Sequence, residues 1–263
     1  MPYFCNELRC KLFADDTTLY HDSEDIDQLI NQFKTNIKPL FAWCSSNRID
    51  INWEKTFCMF VTNRRVLLPS ILSINGYDIT SVDTFKLLGV TIDNKLQFRA
   101  HCANVCRAIN SKLFSIDRLF NLSSSVKIQF FKTFVLPYFD YCSSLCIYFN
   151  REALSKLLHK YYYCIYKLIN ISFIEFIAIS QINEFFKEKF NTYSFRARAS
   201  VRFSVFTFKM LHFESPELLK DIVTNNVLTL SLQDIAPLDD TRTLRNNKVI
   251  CTANIDIPKL TLF

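Results

Sequence analysis

Apolar positions along the chain switch between strand-like and helix-like spacing, and the switches divide it. Leu12-Phe13-Ala14 runs into two adjacent carboxylates, Asp15-Asp16, and then into Thr17-Thr18-Leu19-Tyr20. Strand formers on both sides of a polar pair predict a β-hairpin with Asp15-Asp16 at its tip. From Ser23 to Cys44 the apolar residues Ile26, Leu29-Ile30, Phe33, Ile37 and Leu40-Phe41 recur at helical spacing. Asp22 or Ser23 can cap this helix, Glu24, Asp25 and Asp27 suit its first turn, and Pro39 kinks or stops it near its end. Ile49–Thr62 reads as one or two strands, with Asn47 in a turn before it. Ile71–Thr80 and Phe85–Ile92 read as short strands separated by Asn75-Gly76 and Ser81-Val82-Asp83.

Beyond residue 95 the spacing is helical. Phe98, Cys102, Val105, Ile109, Leu113, Ile116 and Phe120 form one stripe, with Arg99, Arg107 and Arg118 on the other side. A second helix runs from a cap at Ser123 or Ser124 to Val135, because the residues before Pro137 resist helix. Asn150 can cap a third, Arg151–Asn170, with Leu154, Leu157-Leu158, Tyr161, Ile165 and Leu168 inward. Three such helices predict a small bundle. Ile171–Phe190 and Asn191–Phe213 read as two more helices, and Ser215-Pro216-Glu217 opens a short one. From Asn225 the spacing fades into an irregular or strand-like tail. The expected fold class is α+β, mainly helical, divided as 1–94, 95–170 and 171–263.

Composition narrows the classes. Hydrophobic residues make up 49% and aromatics 15% of the 263 residues, enough for a packed core. Gly76 and Gly89 are the only glycines, so no Rossmann or Walker phosphate loop is present, and no small-molecule cofactor is expected. Met1-Pro2-Tyr3-Phe4 lacks the ordered regions of a signal peptide, so the ten cysteines are expected to be reduced thiols of an intracellular protein, nuclear or cytoplasmic. The most apolar window, Phe130–Phe149, contains Lys132, Pro137 and Asp140, so no membrane span is expected. A net charge of +6 is compatible with a nucleic-acid partner.

Two adjacent carboxylates repel one another unless a cation lies between them, and oxygen donors suit Mg²⁺. An acidic surface turn is the plainer reading of the pair. The frame around it resembles a known family. Phe13-Ala14-Asp15-Asp16 is similar to the [Tyr/Phe]-Ala-Asp-Asp box of the reverse transcriptases of non-LTR, LINE-type (jockey-like) retrotransposons. In the same order downstream, Trp43, Asn47 and Ile51-Asn52-Trp53-Glu54-Lys55-Thr56 resemble that family's Trp…Asn…Asn-x-x-Lys-Thr segment. Phe85-Lys86-Leu87-Leu88-Gly89-Val90-Thr91-Ile92-Asp93 resembles its primer grip, and Val135-Leu136-Pro137-Tyr138-Phe139-Asp140-Tyr141-Cys142 a thumb signature. The likeness runs from Lys11 to about Tyr166, and more loosely from Phe195 to Val223.

The resemblance implies a truncated polymerase palm over 1–94, a helical thumb over 95–170 and a helical extension beyond. It implies phosphoryl transfer from a deoxynucleoside triphosphate to a DNA primer on an RNA template, with two divalent metal ions about 3.5–4 Å apart. Asp15 is then a Mg²⁺ ligand and Asp16 its supporting neighbour, while Lys55 acts on the leaving pyrophosphate. Phe85, Lys86, Leu87, Leu88 and Gly89 hold the primer end. The family also has fingers, an upstream palm carboxylate and an endonuclease domain before this box. The reading therefore expects a fragment that does not polymerise alone.

For each position a plainer reading stands beside the functional one: Lys55 as a solvated strand-end lysine, Phe85–Val90 as a core strand. Arg99, Arg107 and Arg118 can track phosphates or simply face water. Arg196, Arg198, Arg202 and Lys209, interleaved with Tyr193, Phe195 and Phe203, suit a single strand or lie opposite a buried stripe. His101, Cys102 and Cys106, with Cys142 and Cys146, invite a zinc reading, against which Cys102 lies on the apolar stripe. The alternatives to a polymerase piece are a non-catalytic remnant that binds nucleic acid or a protein, and an inert product of a decayed element.

Overall fold

A computed structural model describes residues 8–13, 16–117, 121–169, 182–213 and 249–256. It mixes helices with small antiparallel sheets, as an α+β chain does, and separates into two compact units, residues 1–96 with 242–263, and residues 97–241.

In the first unit, β1 (Arg9–Phe13) and β2 (Asp16–Ser23) pair antiparallel, with Phe13 opposite Asp16. The periodicity predicts one helix over 23–44. The structure has two, α1 (Ile26–Asn36) and α2 (Lys38–Ser46), with Pro39 in the first turn of the second. Proline cannot donate to the carbonyl one turn back, and it is well placed where that donor is unpaired anyway. The cap of α1 is Asp25, not Asp22 or Ser23: its Oδ1 accepts from the Gln28 N–H at 2.7 Å.

The next strand, β3 (Asn52–Val61), is buried on both faces toward its C-terminal end. Cys58 and Phe60 join Leu19, Leu29, Phe33, Ile37 and Leu40 in the main core, while Met59 and Val61 pack with Phe85 on the other side. Two hairpins follow: β4 (Ile71–Ile74) with β5 (Tyr77–Thr80), and β6 (Thr84–Leu87) with β7 (Val90–Asp93). Asn75-Gly76 makes the first turn, as predicted. The second turn divides the run read as one strand over Phe85–Ile92, at Leu88 (φ 46°) and Gly89 (φ 85°). The last described strand, β8 (Val249–Asp256), lies between β2 and β3 in the order β1-β2-β8-β3.

In the second unit α3 (Arg99–Asp117) packs on α6 (Arg151–Ile169), with Cys102, Ile109 and Leu113 of α3 buried and Phe98, just before it, against Phe149. Asn150 caps α6, its Oδ1 accepting from the Glu152 N–H at 2.9 Å. The helix expected to end at Val135 does not stop there. α4 (Ser124–Phe130) widens into a π-helical turn (Phe131–Val135), in which the Leu136 N–H reaches the Phe131 carbonyl, and continues as α5 (Leu136–Asp140) through Pro137. A wider turn removes the clash a proline ring makes with an α-helical carbonyl. A short 3₁₀ turn (Ser143–Tyr148) precedes α6. α7 (Ile182–Phe190) and α8 (Phe195–Phe213) complete the unit. Its centre is Tyr161, fully buried against Phe131, Phe139, Phe186 and Phe195 with ring centroids 5.0–6.0 Å away. Residues 171–181 of the helix predicted over 171–190, and the helix predicted from Ser215, lie outside the described residues. Among the described residues no helix is long and apolar enough to cross a membrane.

Candidate carboxylate hairpin and nucleic-acid faces

Asp16 opens β2, half-buried, while Asp15 lies outside the described residues. The register of the sheet adds what no local pattern announces. Asp256 on β8 is opposite Asp16 on one side and Asn52 of β3 on the other. Three residues with oxygen-bearing side chains thus share one row across three strands. Like charges directly opposite one another in a sheet destabilise it unless a counter-charge is present.

Lys55 sits on the same strand as Asn52, exposed, where β3 changes register between Asn52 and Phe57. The Asn52 side chain shapes this irregularity: its Oδ1 accepts from the Lys55 N–H at 3.3 Å, and its carbonyl accepts from the Thr56 hydroxyl at 2.8 Å. In the β6–β7 hairpin Phe85 is buried, its ring 5.3 Å from that of Phe57. Lys86, Leu88 and Gly89 are exposed and Leu87 is half-buried.

In the second unit Arg99 is ion-paired, Nη1 to Glu152 at 3.0 Å, with Nε on Gln97 at 3.0 Å. Arg107 donates to Asn104 at 2.9 Å. Arg118 lies outside the described residues. The basic set on α8 is not one outward face. Arg198 is buried, donating from Nε to Asp140 at 3.0 Å, from Nη1 to the Tyr161 hydroxyl at 3.2 Å and to the Tyr193 carbonyl at 2.6 Å. Arg202 pairs with the same Asp140 at 2.7 Å, while Arg196 and Lys209 are exposed. Asp140, inside the stretch similar to a thumb signature, draws two arginines of α8 onto α5.

Among the described residues no three His, Cys, Asp or Glu are arranged to hold a metal ion, so the zinc reading of His101, Cys102 and Cys106, against which the apolar place of Cys102 already spoke, finds no support. His101 and Cys102 are core groups instead. Burial lowers the His101 pKa and pushes the Cys102 thiol up to about 12. The outer side of α6 carries Lys156, His159, Lys160, Tyr163, Tyr166 and Lys167 at helical spacing, the complement of the inward stripe legible in the sequence.

No protein-family model matches the chain, and no solved structure matches it. Two curated proteins do. The RNA-directed DNA polymerase from mobile element jockey of Drosophila melanogaster is 28% identical over 129 residues, 48% of this chain and 14% of that protein. The protein of the same name from Drosophila funebris is 23% identical over 155 residues, 57% of this chain and 17% of that protein. The chain thus spans well under a quarter of the length of the curated relatives it matches, and over about half of its own length it is similar to the reverse transcriptase of a jockey-type retrotransposon.

Proposed function

We propose that this chain is a piece of a reverse transcriptase, contributing the carboxylate hairpin of a polymerase palm (1–94), a helical thumb (95–170) and an extension (171–263). Its reaction is transfer of a nucleotidyl group from a deoxynucleoside triphosphate to a DNA primer on an RNA template, inside the cell. The observation that carries this reading is the Phe13-Ala14-Asp15-Asp16 box at the β1–β2 hairpin, in a chain similar to two jockey polymerases.

Oxygen donors suit a hard divalent cation, and the backbone register sets Asp16, Asp256 and Asn52 in one row, with Asp15 preceding Asp16 in sequence, although among the described residues no three His, Cys, Asp or Glu are grouped to hold an ion. Mg²⁺, when bound, neutralises charge that develops on the transferred phosphoryl group. Asp15 and Asp16 would hold it. Lys55, exposed on β3, neutralises the leaving pyrophosphate or donates a proton to it. Phe85 anchors the β6–β7 hairpin in the core so that Lys86, Leu87, Leu88 and Gly89 can meet the primer end through backbone and apolar contacts. Arg99, Arg107 and Arg118 add phosphate contacts.

Mn²⁺ titration followed by electron paramagnetic resonance tests the site without requiring turnover. Asp16→Asn and Asp256→Asn are expected to weaken binding, and parent-like binding in both would remove the site. Residues 1–263 alone are expected to give no primer extension. Extension above background that disappears in Asp15→Asn would overturn that expectation.

A further inference from the structure

We infer that the outward face of α6 binds an unpaired nucleic-acid strand, its lysines meeting phosphates and Tyr163 and Tyr166 stacking on bases. This does not rest on the polymerase reading, since it is drawn from the side chains of α6 and of the groove beside it.

α6 has two sharply different sides. Leu157, Tyr161, Cys164 and Leu168 are buried in the core. Opposite them, the exposed residues Lys156, His159, Tyr163 and Tyr166 follow at spacings of three and four, flanked by half-buried Lys160 and Lys167. An ordinary solvated helix face alternates cations with carboxylates. This one alternates cations with aromatic rings. Tyr163 and Tyr166 are 36% and 39% exposed, with ring centroids 6.4 Å apart. The Lys160 and Lys167 ammonium groups lie 5.1 and 5.9 Å from the Tyr163 centroid. A base stacked on Tyr166, or taking the place of an ammonium group over Tyr163, brings its own phosphates beside the two cations.

The N-terminal half of the face opens into a groove of about 530 Å³ between α3 and α6, whose charged lining is Arg99, Glu152, Lys156 and Lys160. Among the described lining residues Glu152 is the single carboxylate. It is held by Lys156 at 2.7 Å and Arg99 at 3.0 Å, and those cations depress its pKa. The groove is thus complementary to a polyanion. From Lys156 to Lys167 the helix rises about 16 Å, room for a few nucleotides. Cations alone would suit an acidic peptide equally, but paired exposed rings among them suit bases. Stacking needs base faces that a duplex keeps covered.

The test is fluorescence anisotropy of the full 263-residue chain with short labelled oligo-dT and oligo-U strands, across a salt series. Tyr163→Leu and Tyr166→Leu are each expected to weaken binding roughly 5- to 100-fold, with Tyr163→Phe close to the parent. Lys160→Gln should reduce the salt slope by about 0.7. Tyr141→Leu, exposed outside this face, should change nothing. Circular dichroism confirms folding, and because Tyr166 is exposed its variant decides the matter if Tyr163→Leu misfolds. Parent-like binding by the folded Leu variants overturns the proposal. So does a blunt duplex that binds as tightly as the single strand, or displacement of the strand by poly-glutamate as effective as by unlabelled oligo-dT, which would mark a surface for acidic protein.

Discussion

Arg198 reads in the sequence as one cation of a basic stripe, yet it is buried beneath α8 against Asp140 and the Tyr161 hydroxyl. A buried ion pair is weak evidence of net stabilisation, but removing one partner leaves a charge without compensation. Asp140→Ala is therefore expected to destabilise the second unit by about 3–5 kcal/mol in urea unfolding, since both Arg198 and Arg202 lose their carboxylate. Arg196→Ala, at an exposed position of the same helix, should stay within about 0.5 kcal/mol. Titratable core groups set a pH window for the same unit. His101 has its pKa lowered by burial, so below about pH 6.5 the unfolded chain binds a proton that the fold refuses. Stability falls as pH drops through that range. Burial pushes the Cys102, Cys146 and Cys164 thiols up to about 12, so above about pH 8.5 the unfolded chain has lost protons that the fold keeps. Stability falls again as pH rises. Melting temperature against pH should peak between the two. A melting temperature that climbs from pH 8.5 to 10 would contradict this assignment of neutral buried thiols.

Single elements follow the sequence where their apolar period is long and unbroken. α3 and α6 show this, and one helix carries its own control. Ile109 is fully buried, whereas Phe114, five residues on, is 73% exposed. Ile109→Asp places an unpaired carboxylate in the core and is expected to unfold residues 97–169, seen as rapid proteolysis. Phe114→Ala should melt within a degree or two of the parent. Equal behaviour of the two would mean that the helix faces the other way. Two of the elements misread from the sequence share a cause, proline, while the strand read over Phe85–Ile92 is divided by the turn at Leu88-Gly89. The sequence marks Pro39 as a kink or stop and ends a helix before Pro137, without telling which course the backbone takes at either. At Pro39 the chain starts a new helix, and at Pro137 it widens into a π turn before the proline and continues. The period is a property of side chains, and the break is a property of one missing N–H.

At the scale of the whole molecule, the feature least visible in the sequence is the return of the chain to its first sheet. The hairpin at Asp16, the helices over it and the two later hairpins are local, and each has a local signal. β8 has none that names its partner, because the pairing of Val249–Asp256 with both β2 and β3 is decided by the edges those strands leave open. The pairing also sets Asp256 in the row with Asp16 and Asn52, so the candidate site is only partly legible from the box alone. This topology has a direct consequence. Without β8, β2 and β3 lose the strand that joins them, and the four-stranded sheet becomes a hairpin and a lone strand. An isolated two-stranded ribbon is marginal in water. A chain ending at Thr241 is therefore expected to lose amide protection in β2 and β3 while keeping it in α3 and α6, which belong to the other unit. Hydrogen exchange read by mass spectrometry separates the two sets of peptides. Parent-like protection in β2 and β3 of the truncated chain would show that the helices α1 and α2 hold those strands without the C-terminal strand, and the row at Asp256 would then be incidental to the sheet.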